Sequence, residues 1–137
     1  MEERVRMSVT GIQTMETGQE DRNVTAGTGT WRLADGIHEI RFEEKGQSTV
    51  MQFSLEDGTC RIRKRGEVHA DMLFHPEEQT RCMYHTGFGA FDLRIETRKI
   101  SVRATGRRVD ALLLYRLHFE GGGWQDNRVM IRAEKEG

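Results

Sequence analysis

The chain has 137 residues, with 21 Lys and Arg against 22 Asp and Glu, and a formal net charge of −1. That balance excludes the basic field that steers a domain to nucleic acid or to an anionic membrane. No apolar run approaches the roughly 18 residues of a spanning helix, and the opening MEERVRM lacks the apolar stretch of a secretory leader. A chain of this length can bury about two-thirds of its unfolded surface without disulfides or metal. The expectation is therefore a single cytoplasmic domain over residues 1–137, and 15 glycines beside one proline point to tight turns rather than long helices.

In chain order, the first segment, about residues 4 to 17, sets Val5, Met7 and Val9 on one face before Ile12 breaks the alternation beside Gly11, the pattern of a bulge. A turn at Gly18-Gln19-Glu20-Asp21 leads to a second strand. There Val24 and Ala26 share one parity and Trp31 and Leu33 the other, so Gly27 and Gly29 between them read as a bend. Matching apolar residues across each later turn sets the registers, because a slip by one residue would turn a whole face outward. Asp35-Gly36 places Leu33 opposite His38, Trp31 opposite Ile40, and Gly29 opposite Phe42, an aromatic ring over bare backbone. Gly46-Gln47 places Phe42 opposite Met51, Asp57-Gly58 places Phe53 opposite Ile62, and a loop at Arg65-Gly66-Glu67 places Cys60 opposite Met72.

Farther along, Pro76-Glu77-Glu78 places Met72 opposite Cys82 and Ala70 opposite Tyr84, and Gly87-Phe88 turns the chain into Phe91, Leu93 and Ile95. Thr97-Arg98 reads as a hairpin pairing Ile95 with Ile100, Gly106-Arg107 pairs Val102 with Ala111, and Gly121-Gly122-Gly123 pairs Tyr115 with Val129. A sheet with one apolar face and no helix to cover it must curl or find a second sheet. The predicted fold class is all-β, a closed or nearly closed antiparallel up-and-down barrel of about ten strands, with a two-sheet sandwich as the alternative.

Arg65-Gly66, Met72-Leu73-Phe74, Tyr84-x-Thr86-Gly87-Phe88-Gly89 and Leu93-x-Ile95-x-Thr97, with Tyr115-x-Leu117 toward the end, resemble the YwiB-like family of bacterial domains of unknown function. The resemblance implies a calycin-like, that is lipocalin-like, barrel over essentially the whole chain. It brings no catalytic residues with it.

The chain has no catalytic triad and no Gly-rich phosphate loop, so the reading is non-enzymatic, with no cofactor and no nucleic-acid or membrane partner. On the outward face His69 and Asp71 lie two apart with His85 on the next strand, donors of the kind zinc takes but at a spacing that matches no zinc signature. An Arg61–Asp71 pair on a solvated face is the plainer account. Cys60 and Cys82, two strands apart at about 9.6 Å, are too distant for a disulfide and read as buried free thiols.

The inward polar residues Tyr84, Thr86, Tyr115 and His38, with Gln125 and Asn127, are more informative. Ten tilted strands enclose more width than eight. The leading expectation is thus a cavity walled by Phe42, Phe53, Met72, Tyr84, Thr86, Phe91 and Tyr115 that holds a small apolar or amphipathic ligand; the plainer one is hydroxyls that reach the barrel mouth or a buried water. A second reading takes outward Leu112, Leu114, Met130 and Trp124, with Leu114 facing Met130, as a patch for a homodimer or a partner protein. A metal-dependent enzyme on the His69, Asp71 and His85 face ranks third.

Overall fold

A computed structural model describes residues 2–137. Its strands are β1 (Glu2–Met15), β2 (Glu20–Ala34), β3 (Ile37–Glu44), β4 (Gln47–Ser54), β5 (Thr59–Arg65), β6 (Ala70–Phe74), β7 (Thr80–Thr86), β8 (Gly89–Ala104), β9 (Arg108–Phe119) and β10 (Trp124–Lys135). They form one sheet in the order β6-β5-β4-β3-β2-β1-β10-β9-β8-β7. Each neighbouring pair is consecutive in the chain except β1 and β10, which join the two ends antiparallel from Val5–Lys135 to Met15–Gln125. The remaining edges, β6 and β7, meet through one bridge, in which His69 and His85 each donate N–H to the other's carbonyl at 2.9 Å. The sheet is thus a nearly closed up-and-down barrel with a seam between β6 and β7, and closure protects backbone groups that an open edge would leave unpaired.

The inner face carries the apolar alternation. Val5, Ile40, Phe53, Phe74, Ile95, Leu113 and Ile131 are all fully buried, and each lies at the inward parity of its strand. Also inside, Trp31 Nε1–H donates to His38 Nδ1 at 3.1 Å. Burial lowers the pKa of His38, which keeps the ring neutral and its Nδ1 free to accept.

Two turns show why their sequences reverse the chain. Asp35 and Gly36 have φ of 54° and 74°, and Lys45 and Gly46 have 49° and 78°, the paired positive values that two-residue type I′ hairpins need. The first keeps the expected register, with Leu33 opposite His38, Trp31 opposite Ile40 and Gly29 opposite Phe42.

The Gly106-Arg107 hairpin keeps its register too, with Val102 opposite Ala111, whereas four other hairpins differ from expectation by two residues. Because the second turn is Lys45-Gly46, Ile40 rather than Phe42 faces Met51. Asp57 and Gly58 belong to a longer loop between Ser54 and Thr59, so Phe53 faces Cys60, and Cys60 in turn faces Phe74 rather than Met72. On the last hairpin Tyr115 faces Asn127, and Leu114 faces Arg128 rather than Met130. A shift of two residues leaves every side chain on its own face, so matching apolar faces alone selects no particular one of these alternatives.

Three expectations about strand interruptions are corrected. Thr97-Arg98 is not a hairpin: β8 runs on, with one register shift between Thr97 and Lys99, and Ile100 faces Leu113. An extra residue in a strand swaps parity from Ile95 to Ile100 as a two-residue turn does, and neither Thr97 nor Arg98 has the φ freedom that such a turn favours. Near Gly11 there is no bulge; the ladders to β2 and β10 continue unbroken and Ile12 faces outward. Gly27 and Gly29 likewise interrupt nothing, and Val24 on the outer face is 61% exposed. Gly29 instead permits close packing, since a Cβ there would lie 2.3 Å from the Arg41 carbonyl oxygen.

Candidate functional site

Side chains fill one half of the barrel and leave room in the other. A cavity of about 380 Å³ is lined by Gln13, Lys64, Met72, Tyr84, Thr86, Phe91, Leu93, Tyr115, Leu117, Phe119, Gln125 and Asn127. Phe91 is 48% exposed, and Gln13, Thr86 and Phe119 are half-buried, so these residues form a rim open to solvent.

Local structure carries Lys64 to this cavity. The lysine lies at the end of β5 at the inward parity of Cys60 and Ile62, between Thr49 of β4 and Ala70 of β6. The loop that follows is clamped by Gln47, whose Nε2–H donates to the Val68 carbonyl and whose Oε1 accepts from the Val68 N–H, both at 2.9 Å. Gly66, at φ 143°, makes room for the clamp, because a Cβ there would meet the Gly46 carbonyl oxygen at 2.7 Å. The His69–His85 bridge then sets Ala70 beside Tyr84, which faces Phe91 on β8.

Lys64 is the only charged residue among the lining residues. Burial holds its amine below the usual lysine pKa. The nearby carboxylate of Asp71 has outward parity on β6 and pairs with Arg61 at 3.3 Å and Arg63 at 3.6 Å. Burial also raises the pKa of Tyr84 and of Tyr115, so both phenols stay neutral and can donate. Tyr115 is fixed from behind by Phe74, ring edge to face at 4.7 Å between centroids. Chemically the cavity lining offers a cation, two phenolic hydroxyls and side-chain amides interleaved with the apolar side chains of Met72, Phe91, Leu93 and Leu117.

A family model described as Domain of unknown function (DUF1934) matches residues 7–131. The chain belongs to this DUF1934 family. In structure it is similar to the ywiB protein from Bacillus subtilis, with a TM-score of 0.84 over 99% of this chain and 94% of that one at 17% sequence identity. At that identity the likeness shows the fold alone, a calycin-like barrel. No curated protein matches the chain. Among the described residues no helix is long and apolar enough to cross a membrane.

Of the residues expected to wall the interior of this DUF1934 barrel, Met72, Tyr84, Thr86, Phe91 and Tyr115 line the cavity, and Phe42 and Phe53 do not. Phe53 is 1% exposed inside the filled half, and Phe42 packs over Gly29. Lys64 escaped notice because it continues the basic run Arg61 to Arg65, although its parity with Cys60 and Ile62 was a usable signal.

His69, Asp71 and His85 do not converge on a metal. The two imidazoles stand edge to face at 6.0 Å, Asp71 serves the two arginines, and among the described residues no three His, Cys, Asp or Glu are grouped to hold an ion. Cys60 and Cys82 are free and buried, and burial raises both thiol pKa values, which suppresses the nucleophilic thiolate.

On the outside, Leu112 faces Met130 at the base of a groove flanked by the Arg108–Asp110 and Arg132–Asp110 pairs. Leu114 lies in a neighbouring depression with Ile12. Trp124 is covered by the Arg116 guanidinium at 3.8 Å, itself held by Asp126 at 2.7 Å.

Proposed function

We propose that the chain is a cytoplasmic, non-enzymatic binding protein that holds one small amphipathic ligand at the open end of its barrel. The observation that carries this reading is the cavity of about 380 Å³ with an apolar wall and a few convergent polar groups. Small-molecule sites are usually concave, mostly apolar and roughly 300–1,000 Å³ in volume. The test is a fluorescence titration with a neutral apolar probe, N-phenyl-1-naphthylamine. Saturable binding of one probe per chain at micromolar concentration is expected, and Thr86→Trp, which fills the rim, should abolish it without loss of fold. Tyr84→Phe should weaken a hydroxyl-bearing analogue by about 1 kcal/mol and leave the hydrocarbon probe unchanged. Absence of saturable binding to the folded wild type would refute the reading.

A second reading, self-association, is favoured by the outer apolar residues. Val24 and Met130 flank Thr10 in one cross-strand row that continues to Leu112, and Ile12 and Leu114 flank Arg128 in the next. A stable interface buries about 1,200–2,000 Å² in total, so these residues would form its centre, with a second copy as occupant. Light scattering should then give a dimer for the wild type and a monomer for Leu114→Asp. A wild type that scatters as a monomer at tens of micromolar removes this reading.

A further inference from the structure

We propose that Lys64 anchors the acidic end of the ligand, so that the cavity takes an apolar carboxylic acid, as its anion, rather than a neutral lipid or an amine. This deepens the ligand-binding reading and rests on it. Three observations support it. Lys64 is the only charged side chain on the cavity wall, and none of the ion pairs among the described residues uses it. The carboxylate nearest to it by strand register, Asp71, has the opposite parity and is paired to Arg61 and Arg63. Tyr84 and Tyr115, kept neutral by burial, line the same cavity as hydroxyl donors for an anion.

A lysine near a strand end often runs its stem along apolar surface and leaves its ammonium in water. Here Lys64 is half-buried at the cavity wall, and burial lowers its amine pKa. An incoming carboxylate would supply a counter-ion and accept from the ammonium and the phenols at once, and hydrogen bonds to charged groups are the stronger kind. The lining residues Met72, Leu93, Leu117 and Phe91 suit a hydrocarbon or aromatic body. An amine ligand would meet like charge, and a neutral one would leave the ammonium unpaired.

The experiment uses two probes with one aromatic skeleton, neutral N-phenyl-1-naphthylamine and its sulfonate, 1-anilinonaphthalene-8-sulfonate, whose anionic group stands in for a carboxylate. They are titrated into the wild type, Lys64→Met, Lys64→Gln and Lys64→Arg, each shown to be folded by thermal unfolding. The wild type should bind the sulfonate at least tenfold tighter than the neutral probe. Lys64→Met and Lys64→Gln should lose that tenfold preference, read as the ratio of the two probe affinities within each variant, and Lys64→Arg should keep it. If the neutral probe binds and Lys64→Met or Lys64→Gln leaves sulfonate affinity unaltered, the anchor is wrong and the ligand-binding reading stands. If neither probe binds the folded wild type, both fail.

Discussion

Gly29→Ala is expected to lower stability by about 3 kcal/mol, and Gly29→Val by more, while Gly27→Ala is tolerated. Both glycines are inward on β2, yet their surroundings differ. A methyl at Gly29 would lie 2.3 Å from the Arg41 carbonyl oxygen, 3.0 Å from the Met7 sulfur and 3.2 Å from Phe42 Cβ, whereas at Gly27 it would meet nothing within 4 Å. The Met7 sulfur can move. The Arg41 oxygen is backbone in the β2–β3 ladder, whose Thr30–Arg41 pair would have to part. For a chain of this size about 3 kcal/mol corresponds to a fall in Tm on the order of 10 °C, a large share of a stability of roughly 5–15 kcal/mol. Thermal unfolding followed by circular dichroism measures it. A Gly29→Ala Tm within about 2 °C of the wild type would mean that the β2–β3 approach is looser than described.

Phe53→Ala should cost about 3–5 kcal/mol and leave probe affinity per folded molecule unchanged, and Phe91→Ala should do the reverse. Phe53 is 1% exposed in the filled half of the barrel, so its removal leaves a void that neighbours such as Ile40 and Cys60 cannot close. Phe91 is 48% exposed at the rim, so little of its burial contributes to folding, but its ring forms part of the cavity wall. Losing that contact is worth about 1 kcal/mol, roughly fivefold in Kd. Urea unfolding and probe titration on the same two variants separate the effects. If Phe53→Ala weakened the probe and spared the fold, the division into a filled and an open half would be incorrect.

These two phenylalanines also show where reading from sequence stops. Both have inward parity, and both were expected to wall one cavity. Parity assigns a side chain to a face but not to a height along the barrel axis. Height depends on register, and four of the hairpins differ from expectation by two residues, a shift that leaves every face intact. The same blindness applies at Thr97-Arg98, where a bulge and a two-residue turn produce one parity swap.

The sequence by itself determined the class of fold and its consecutive antiparallel hairpins up to β7. Period-two alternation, turn dipeptides such as Asp35-Gly36 and the lack of any helix to cover one apolar face require an antiparallel meander to curl on itself, because local backbone preference and burial act along the chain. The tertiary structure alone decided which strands close the ring, where the seam between β6 and β7 falls and which half of the barrel stays open. It also decided that Lys64 lines one cavity with Tyr84 and Tyr115, apart from the arginines around it in sequence. Those outcomes depend on distances between residues from different strands, and side-chain volume summed around the ring, unlike parity, has no expression along a single strand.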